Sequence, residues 1–172
     1  MTVLAALFSA LPLQAESGVY LEGQFILKDG RYYGQPGQAI NGLVRVYRAE
    51  DGGLFITESE VRDGLKNGLE SVYVNGYLQK ETEYAQGKKN GRAVLYSEAG
   101  GLPVIEQLYQ DDLALEQQHY RGGKLVSDFT YEYHSNGGMK LKSPKTVCAE
   151  DCFTYRFDEN GAVTEKKAWP EQ

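Results

Sequence analysis

The residues able to do chemistry are few and poorly spaced for it. His119 and His134 sit beside aromatic residues in strand-like runs. Neither lies near a Ser or Cys in a nucleophile motif, and no His-x₃-His or His-Glu pair has metal-binding spacing. The pairs Asp111-Asp112 and Glu150-Asp151 fall at turns, where carboxylates serve local hydrogen bonding. Glycoside cleavage needs two carboxylates facing each other across a substrate. Glu58, Glu81 and Glu106 recur at equivalent positions, with Gln117 in the last copy, and form an acidic stripe. Repetition points to a structural or calcium-attracting surface more than to one catalytic centre. The glycines recur at hairpin spacing, which leaves no phosphate-cradling loop. The expectation is a chain with no catalytic residues, no dedicated metal site and no cofactor.

Cys148 and Cys152 are the two cysteines of the chain. They flank Ala-Glu-Asp, between the runs Lys145-Thr-Val147 and Phe153-Thr-Tyr155. Read as a hairpin turn, those three residues leave the cysteines opposite each other at its base. Cross-strand Cα separations of about 4.5–5.5 Å suit a disulfide there. Free thiols, a metal or a redox pair are the alternatives. A metal would need two more ligands, with no His nearby, and a redox pair more typically reads Cys-x-x-Cys.

What positions all of these residues is a repeat. Asn-Gly, three residues, an aliphatic, then Tyr occurs as Asn41-Gly42…Val46-Tyr47, Asn67-Gly68…Val72-Tyr73 and Asn90-Gly91…Leu95-Tyr96. The tyrosines fall 26 and 23 residues apart. Farther on, Phe129-Thr-Tyr131-Glu-Tyr133-His-Ser-Asn136-Gly137 recurs as Phe153-Thr-Tyr155-Arg-Phe157-Asp-Glu-Asn160-Gly161, a shift of 24. Such a period means a stacked array of one supersecondary unit. In the copy from Asn67 to Lys89, Leu69 to Val74 and Leu78 to Tyr84 read as strands, joined by a turn at Asn75-Gly76. Gln86-Gly87 leads on to the next unit. Asn-Gly is the strongest short hairpin signal, so the repeated Asn-Gly pairs are read as turns. The fold class is all-β, an antiparallel meander of hairpins forming an elongated curled single sheet.

Alternation assigns the faces. Neighbouring strand residues point to opposite sides, so Val46, Val72 and Leu95 line one surface and Tyr47, Tyr73 and Tyr96 the other. In the returning strands Val61, Tyr84, Tyr109 and Tyr120 stand three residues before the turns at Gly64, Gly87, Asp112 and Gly123. The aliphatic surface is expected to curl on itself or be covered, since burying a Val or Leu is worth about 1.5–3 kcal/mol. The Tyr ladder is either structural packing, rings stacked and hydroxyls wet, or a binding surface.

Composition fits this reading. Twenty glycines, thirteen tyrosines and five prolines in 172 residues suit many short strands and tight turns. The formal charge is −6 and the basic residues are scattered, the densest pairs being Lys88-Lys89 and Lys166-Lys167. Without a basic patch, neither nucleic-acid binding nor attachment to an anionic membrane is expected. Residues 1–15 are uncharged, hold an apolar block from Val3 to Leu11, end in Ala15, and resemble a secretory signal. A short N-terminal helix packed on the sheet is the other reading. Residues 16–40 hold a degenerate unit, with Phe25-Ile-Leu27-Lys-Asp-Gly30 matching a closing half, and a loop at Gly34-Gln-Pro36-Gly37-Gln38. The hairpin repeats run over 41–161, and 162–172 form a charged tail that caps the array or frays.

These motifs resemble the membrane occupation and recognition nexus (MORN) repeat family in its bacterial variant. Glu81-Thr-Glu-Tyr84-Ala-Gln-Gly87-Lys-Lys-Asn-Gly91 is the most typical stretch, and interruptions fall at Asp111–Gly123 and Ser143–Cys152. The choline-binding repeat shares period and turns, but its Trp-rich cages are missing. The resemblance implies a non-enzymatic repeat protein, a scaffold or an antitoxin-like partner. Combined with the leader, it predicts an exported, periplasmic or secreted protein, otherwise a cytoplasmic one, that binds another protein, a basic one by net charge. The alternative is a cell-wall or carbohydrate-binding module using Tyr47, Tyr73 and Tyr96.

Overall fold

A computed structural model describes residues 18–35, 37–50, 53–98, 101–149 and 152–169. The expected leader, the acidic pair Glu150-Asp151, Pro36 and the last residues of the tail lie outside them. The first strands are β1 (Gly18–Leu21), β2 (Phe25–Lys28), β3 (Arg31–Gly34), β4 (Gly42–Glu50) and β5 (Gly53–Arg62). The middle holds β6 (Leu65–Val74), β7 (Tyr77–Ala85), β8 (Lys88–Tyr96), β9 (Pro103–Gln110) and β10 (Leu113–Arg121). The chain continues with β11 (Lys124–Tyr133), β12 (Met139–Cys148), β13 (Phe153–Phe157) and β14 (Val163–Ala168). Twelve strands make one sheet, in the order β1-β4-β5 and then consecutively to β14. Every pair from β4 onward is antiparallel, while β1 runs parallel to β4. The sheet is open, with β1 and β14 at its two ends.

The tight turns follow the residues. Asp63-Gly64, Asn75-Gly76, Gln86-Gly87, Asp111-Asp112 and Gly122-Gly123 have positive φ at both central positions. That is the geometry whose twist matches the flanking strands. Asn136-Gly137 and Asn160-Gly161 also lie at turns, and there the shift of 24 repeats as hydrogen bonds. Gly137 and Gly161 donate to the carbonyls of His134 and Asp158, and those two residues donate to Gly138 and Ala162.

The repeated Asn-Gly pairs do something else. Asn67-Gly68 lies inside β6, Asn90-Gly91 inside β8, and Gly42 opens β4. None is a hairpin corner. Each interior pair widens its strand against the preceding one: Ser59 and Val61 oppose Glu70 and Lys66, and Thr82 and Tyr84 oppose Ala93 and Lys89. Two extra residues thus bulge opposite Glu60 and Glu83. The asparagine reaches across to the next turn, Asn41 Oδ1 accepting from Asp63 N at 2.9 Å and Asn67 Oδ1 from Gln86 N at 3.2 Å. The glycine lies beneath the glutamate, whose carboxylate accepts from the following amide: Glu60 from Leu69 N at 3.2 Å, Glu83 from Arg92 N at 2.8 Å. The motif is a stitch between hairpins, chosen by polar satisfaction rather than by turn geometry.

The N-terminal segment departs from the expected serial unit. The hairpin β2–β3 forms its own sheet and lies against the start of the array, Tyr32 N donating to Gly64 O at 2.7 Å. Tyr32, Ile40, Val44 and Val61 form the buried core beneath it, with Tyr20, Phe25 and Val46 packed alongside. This covers the aliphatic surface only where it is most aliphatic. Along the same cross-strand row Val44 is followed by Ser59, Glu70, Thr82, Ala93, Gln107 and Gln117. That row turns polar, while the neighbouring row keeps Val46, Val72, Leu95 and Ile105. Thr82, 1% exposed, has no partner for its hydroxyl among the described residues. Thr82→Val is therefore expected to raise stability by about 1 kcal/mol, read from urea unfolding, because it removes an unpaid desolvation cost.

The expected alignment of Tyr120 with Val61, Tyr84 and Tyr109 dissolves as well. Tyr120 lies in β10 before the Gly122-Gly123 turn, at the opposite end of the sheet from Gly64, Gly87 and Asp112. Both expected interruptions are occupied by strand, β10 in the first and most of β12 in the second. The tail contributes the last strand, β14, paired with β13.

Candidate functional site

The register sorts side chains onto two faces of different chemistry. One cross-strand row reads Arg45, Glu58, Ser71, Glu81, Val94, Glu106, Gln118, Asp128. The three glutamates expected as a stripe do line up here, on what we call the carboxylate face. Gln118, not Gln117, continues the row; Gln117 belongs to the other face, opposite Gln107 and Phe129. Each glutamate of the stripe has a partner, two of them cationic. Arg45 Nε donates to Glu58 at 2.6 Å, Arg92 contacts Glu106 at 2.5 Å, and Tyr96 OH donates to Glu81 at 2.6 Å. No group of three metal-ligating side chains occurs among the described residues.

Tyr47 and Tyr73 share this face, both opposite Ile56, and Tyr96 takes the matching place in its copy. Their settings differ. Tyr47 is 41% exposed. Tyr96 is pushed up to about 12 by burial and by its bond to the Glu81 carboxylate. The tyrosines do not all collect on one face, because Tyr84 and Tyr109 project with the aliphatics to the other.

Asp128 repeats the carboxylate-over-bulge device near the opposite end of the sheet. Its Oδ1 accepts from Thr146 N at 2.8 Å and Val147 N at 2.7 Å, and Oδ2 accepts from the Thr146 hydroxyl at 2.5 Å. Burial works to raise its pKa, but these hydrogen bonds outweigh it and hold Asp128 below its ordinary value. A depressed folded-state pKa means stability present above the unfolded value, near 3.8, and lost as the pH falls through the folded value. Asp128→Asn should therefore cost about 2 kcal/mol at neutral pH, from the weakened charged hydrogen bonds. Urea titrations should show that penalty shrinking under acid conditions. A penalty independent of pH would mean the charge is irrelevant.

On the opposite face, rings and lysines alternate. Tyr84, Tyr109, Phe129, Tyr131, Phe153 and Tyr155 project there by register. Lys66 lies over Tyr84 at 4.8 Å, Lys89 over Tyr109 at 4.9 Å, Lys142 over Phe129 at 4.5 Å and Lys166 over Phe153 at 4.0 Å. The buried Glu70 accepts from Ser59, Lys66 and Tyr84, and burial together with that carboxylate drives the Tyr84 phenol well above its usual range. Gln117 ties Tyr131 to His119, the Tyr131 hydroxyl donating at 2.6 Å. His119 is lowered by burial and by Lys142, which favours the neutral ring. His134 lies one residue past β11, its ring near the Phe157 carbonyl at 3.0 Å. Ser127 stands opposite His119 in register, but among the described residues the ring nitrogens of the two histidines contact Gln117 and the Phe157 carbonyl, not a hydroxyl or thiol.

The lysine face is not legible as a basic run, because its lysines are scattered along the sequence and meet only through strand pairing. Lys166-Lys167 reads as a basic pair, yet alternation sends Lys166 to the rings and Lys167 to Glu165 on the carboxylate face. Depressions lie on both faces, among them one of about 500 Å³ over Phe55, Val74, Tyr77 and Gln79. One of about 230 Å³ lies over Lys80, Leu95, Ile105 and Gln107, and one of about 170 Å³ over Arg92, Glu106 and Glu116. Cys148 and Cys152 form a disulfide with Cα atoms 5.6 Å apart. Regular pairing of β12 with β13 is limited to Leu141–Arg156 and Lys142–Tyr155. The cystine therefore closes a loop beyond the paired segment rather than the base of a tight hairpin. No family model matches the chain, and no curated protein is similar to it.

Proposed function

We propose that the chain is a non-enzymatic binding protein, exported from the cell, whose sheet docks another protein. The observation that carries this reading is the part of the lysine face, from β8 onward, that no described element covers, a surface lined by the rings of Tyr109, Tyr131, Phe153 and Tyr155. Tyrosine-rich surfaces of that kind supply large contact area at little entropic cost. Export is supported by the leader-like residues 1–15 and by the cystine, which persists in oxidising compartments. Cross-linking the purified chain to the envelope proteins of its host, at low and high salt, tests the reading. A discrete, salt-sensitive adduct is expected. Recovery of peptidoglycan-bound chain that survives protease treatment of the wall would favour a glycan ligand instead.

A further inference from the structure

We infer that the face carrying Lys80, Lys89, Lys142 and Lys166 docks an acidic, partly apolar surface of a folded protein. This rests on the protein-binding reading above and specifies its partner. From β7 to β14 the strands carry the carboxylates Glu81, Glu83, Glu106, Glu116, Asp128, Glu132 and Glu165, and register puts every one on the opposite face. The four lysines make no ion pair among the described residues. Arg92, Lys145, Lys140, Arg156 and Lys167 on the carboxylate face each do. The charge separation is thus between faces rather than along the chain.

Net charge therefore misleads about the partner. Charges on opposite faces stand roughly 10 Å or more apart, about one Debye length at 0.1 M salt, so each face presents its own sign to a contacting surface. An acidic partner fits the lysine face, although the chain as a whole carries −6. Lys142 and Lys166 flank Tyr155 in register, each one strand away. Two ammonium groups on one face, about two strand spacings or 10 Å apart, can be met by separate carboxylates on one partner.

The rings decide which class of acidic partner. Lys89, Lys142 and Lys166 lie within 4.9 Å of Tyr109, Phe129 and Phe153. A ring face that already holds an ammonium is occupied on that side, whereas single-strand binders rely on bases stacking against the ring. A carboxylate can instead approach the ammonium from above while apolar atoms settle against the ring edges. The extent also fits. Eight strands, β7 to β14, at about 4.8 Å spacing and about 28 Å mean length cover roughly 1,000 Å², enough for one partner's share, about 800 Å², of a standard protein interface.

The probes are a random glutamate–tyrosine copolymer, a lysine–tyrosine copolymer, heparin, oligothymidylate and phosphatidylglycerol vesicles, each titrated against the full chain. Two double variants separate the faces: Lys142→Glu with Lys166→Glu, and Lys145→Glu with Lys167→Glu, in the same two strands. The glutamate–tyrosine copolymer is expected to bind tightest, with a loss of roughly tenfold in the first variant and less than about twofold in the second. Equal losses, no copolymer binding, or preference for the cationic copolymer would overturn the inference. Tighter binding of heparin, oligonucleotide or vesicles with the same variant sensitivity would overturn the partner class. A photo-cross-linker placed at Tyr155 or at Tyr47 distinguishes the two levels. Host-protein adducts from Tyr47 alone refute the lysine face and leave a binding protein; adducts from neither position remove the binding-protein reading itself.

Discussion

Gly68→Ala is expected to lower stability by about 3 kcal/mol, far beyond a normal Gly-to-Ala exchange. Two costs add. The residue sits at φ +125, where a side chain is strained by roughly 1–3 kcal/mol. A Cβ there would also lie 1.9 Å from Glu60 Oε2 and 3.0 Å from Glu60 Cβ. The carboxylate must leave, taking the hydrogen bond to Leu69 N with it, worth about 1.5–3 kcal/mol for a charged acceptor. Gly91 over Glu83 repeats the arrangement, also at 1.9 Å, so Gly91→Ala should behave alike. The control is Gly76→Ala in an open turn, where an added Cβ meets nothing within 4 Å. It should cost only about 1 kcal/mol, the conformational part. Urea unfolding with Glu60→Ala in a double-mutant cycle reads the coupling. Equal penalties at Gly68 and Gly76 would dismiss the stitch.

Removing the cystine is expected to free the C-terminal hairpin while the rest of the sheet stays closed. Between β12 and β13 only Leu141–Arg156 and Lys142–Tyr155 pair, against nine pairs between β4 and β5. The loop closed by Cys148 and Cys152 is short, sequence separation 4, and chain-entropy reasoning assigns such a cross-link about 2 kcal/mol. That corresponds to roughly 30-fold faster amide exchange, confined to β13, β14 and the Trp169 amide, which donates to Cys152 O at 2.7 Å. Cys148→Ser with Cys152→Ser should match reduction by a thiol. Uniform acceleration across β4 to β14 would show one cooperative unit and no separate hairpin.

Much of this architecture is legible in the residues, and the failures are instructive. Period, strand content and the turns at Asn75-Gly76 and Gln86-Gly87 are local properties of backbone preference, so sequence carries them. The Asn67-Gly68 and Asn90-Gly91 pairs mislead because Asn-Gly serves two purposes. Its turn propensity is intrinsic, whereas its use as a stitch depends on a turn lying one hairpin away. Tyr120 misleads for a related reason: counting back from Gly123 assumes one end of the sheet, and the count is equally valid at the other. The lysine face needed the register itself. Lys89, Lys142 and Lys166 are spread across the sequence and meet their rings only when strands pair. The parallel β1 has no sequence signal we could identify.

The sheet has two faces of opposite character, and the proposed partner meets the lysine side. Lysine footprinting measures this directly: amine labelling of the chain, alone and with the glutamate–tyrosine copolymer, read by mass spectrometry. Protection of Lys80, Lys89, Lys142 and Lys166, with Lys140, Lys145 and Lys167 labelled as before, is the predicted result. Protection of Lys140, Lys145 and Lys167 instead, or of all seven alike, would contradict it.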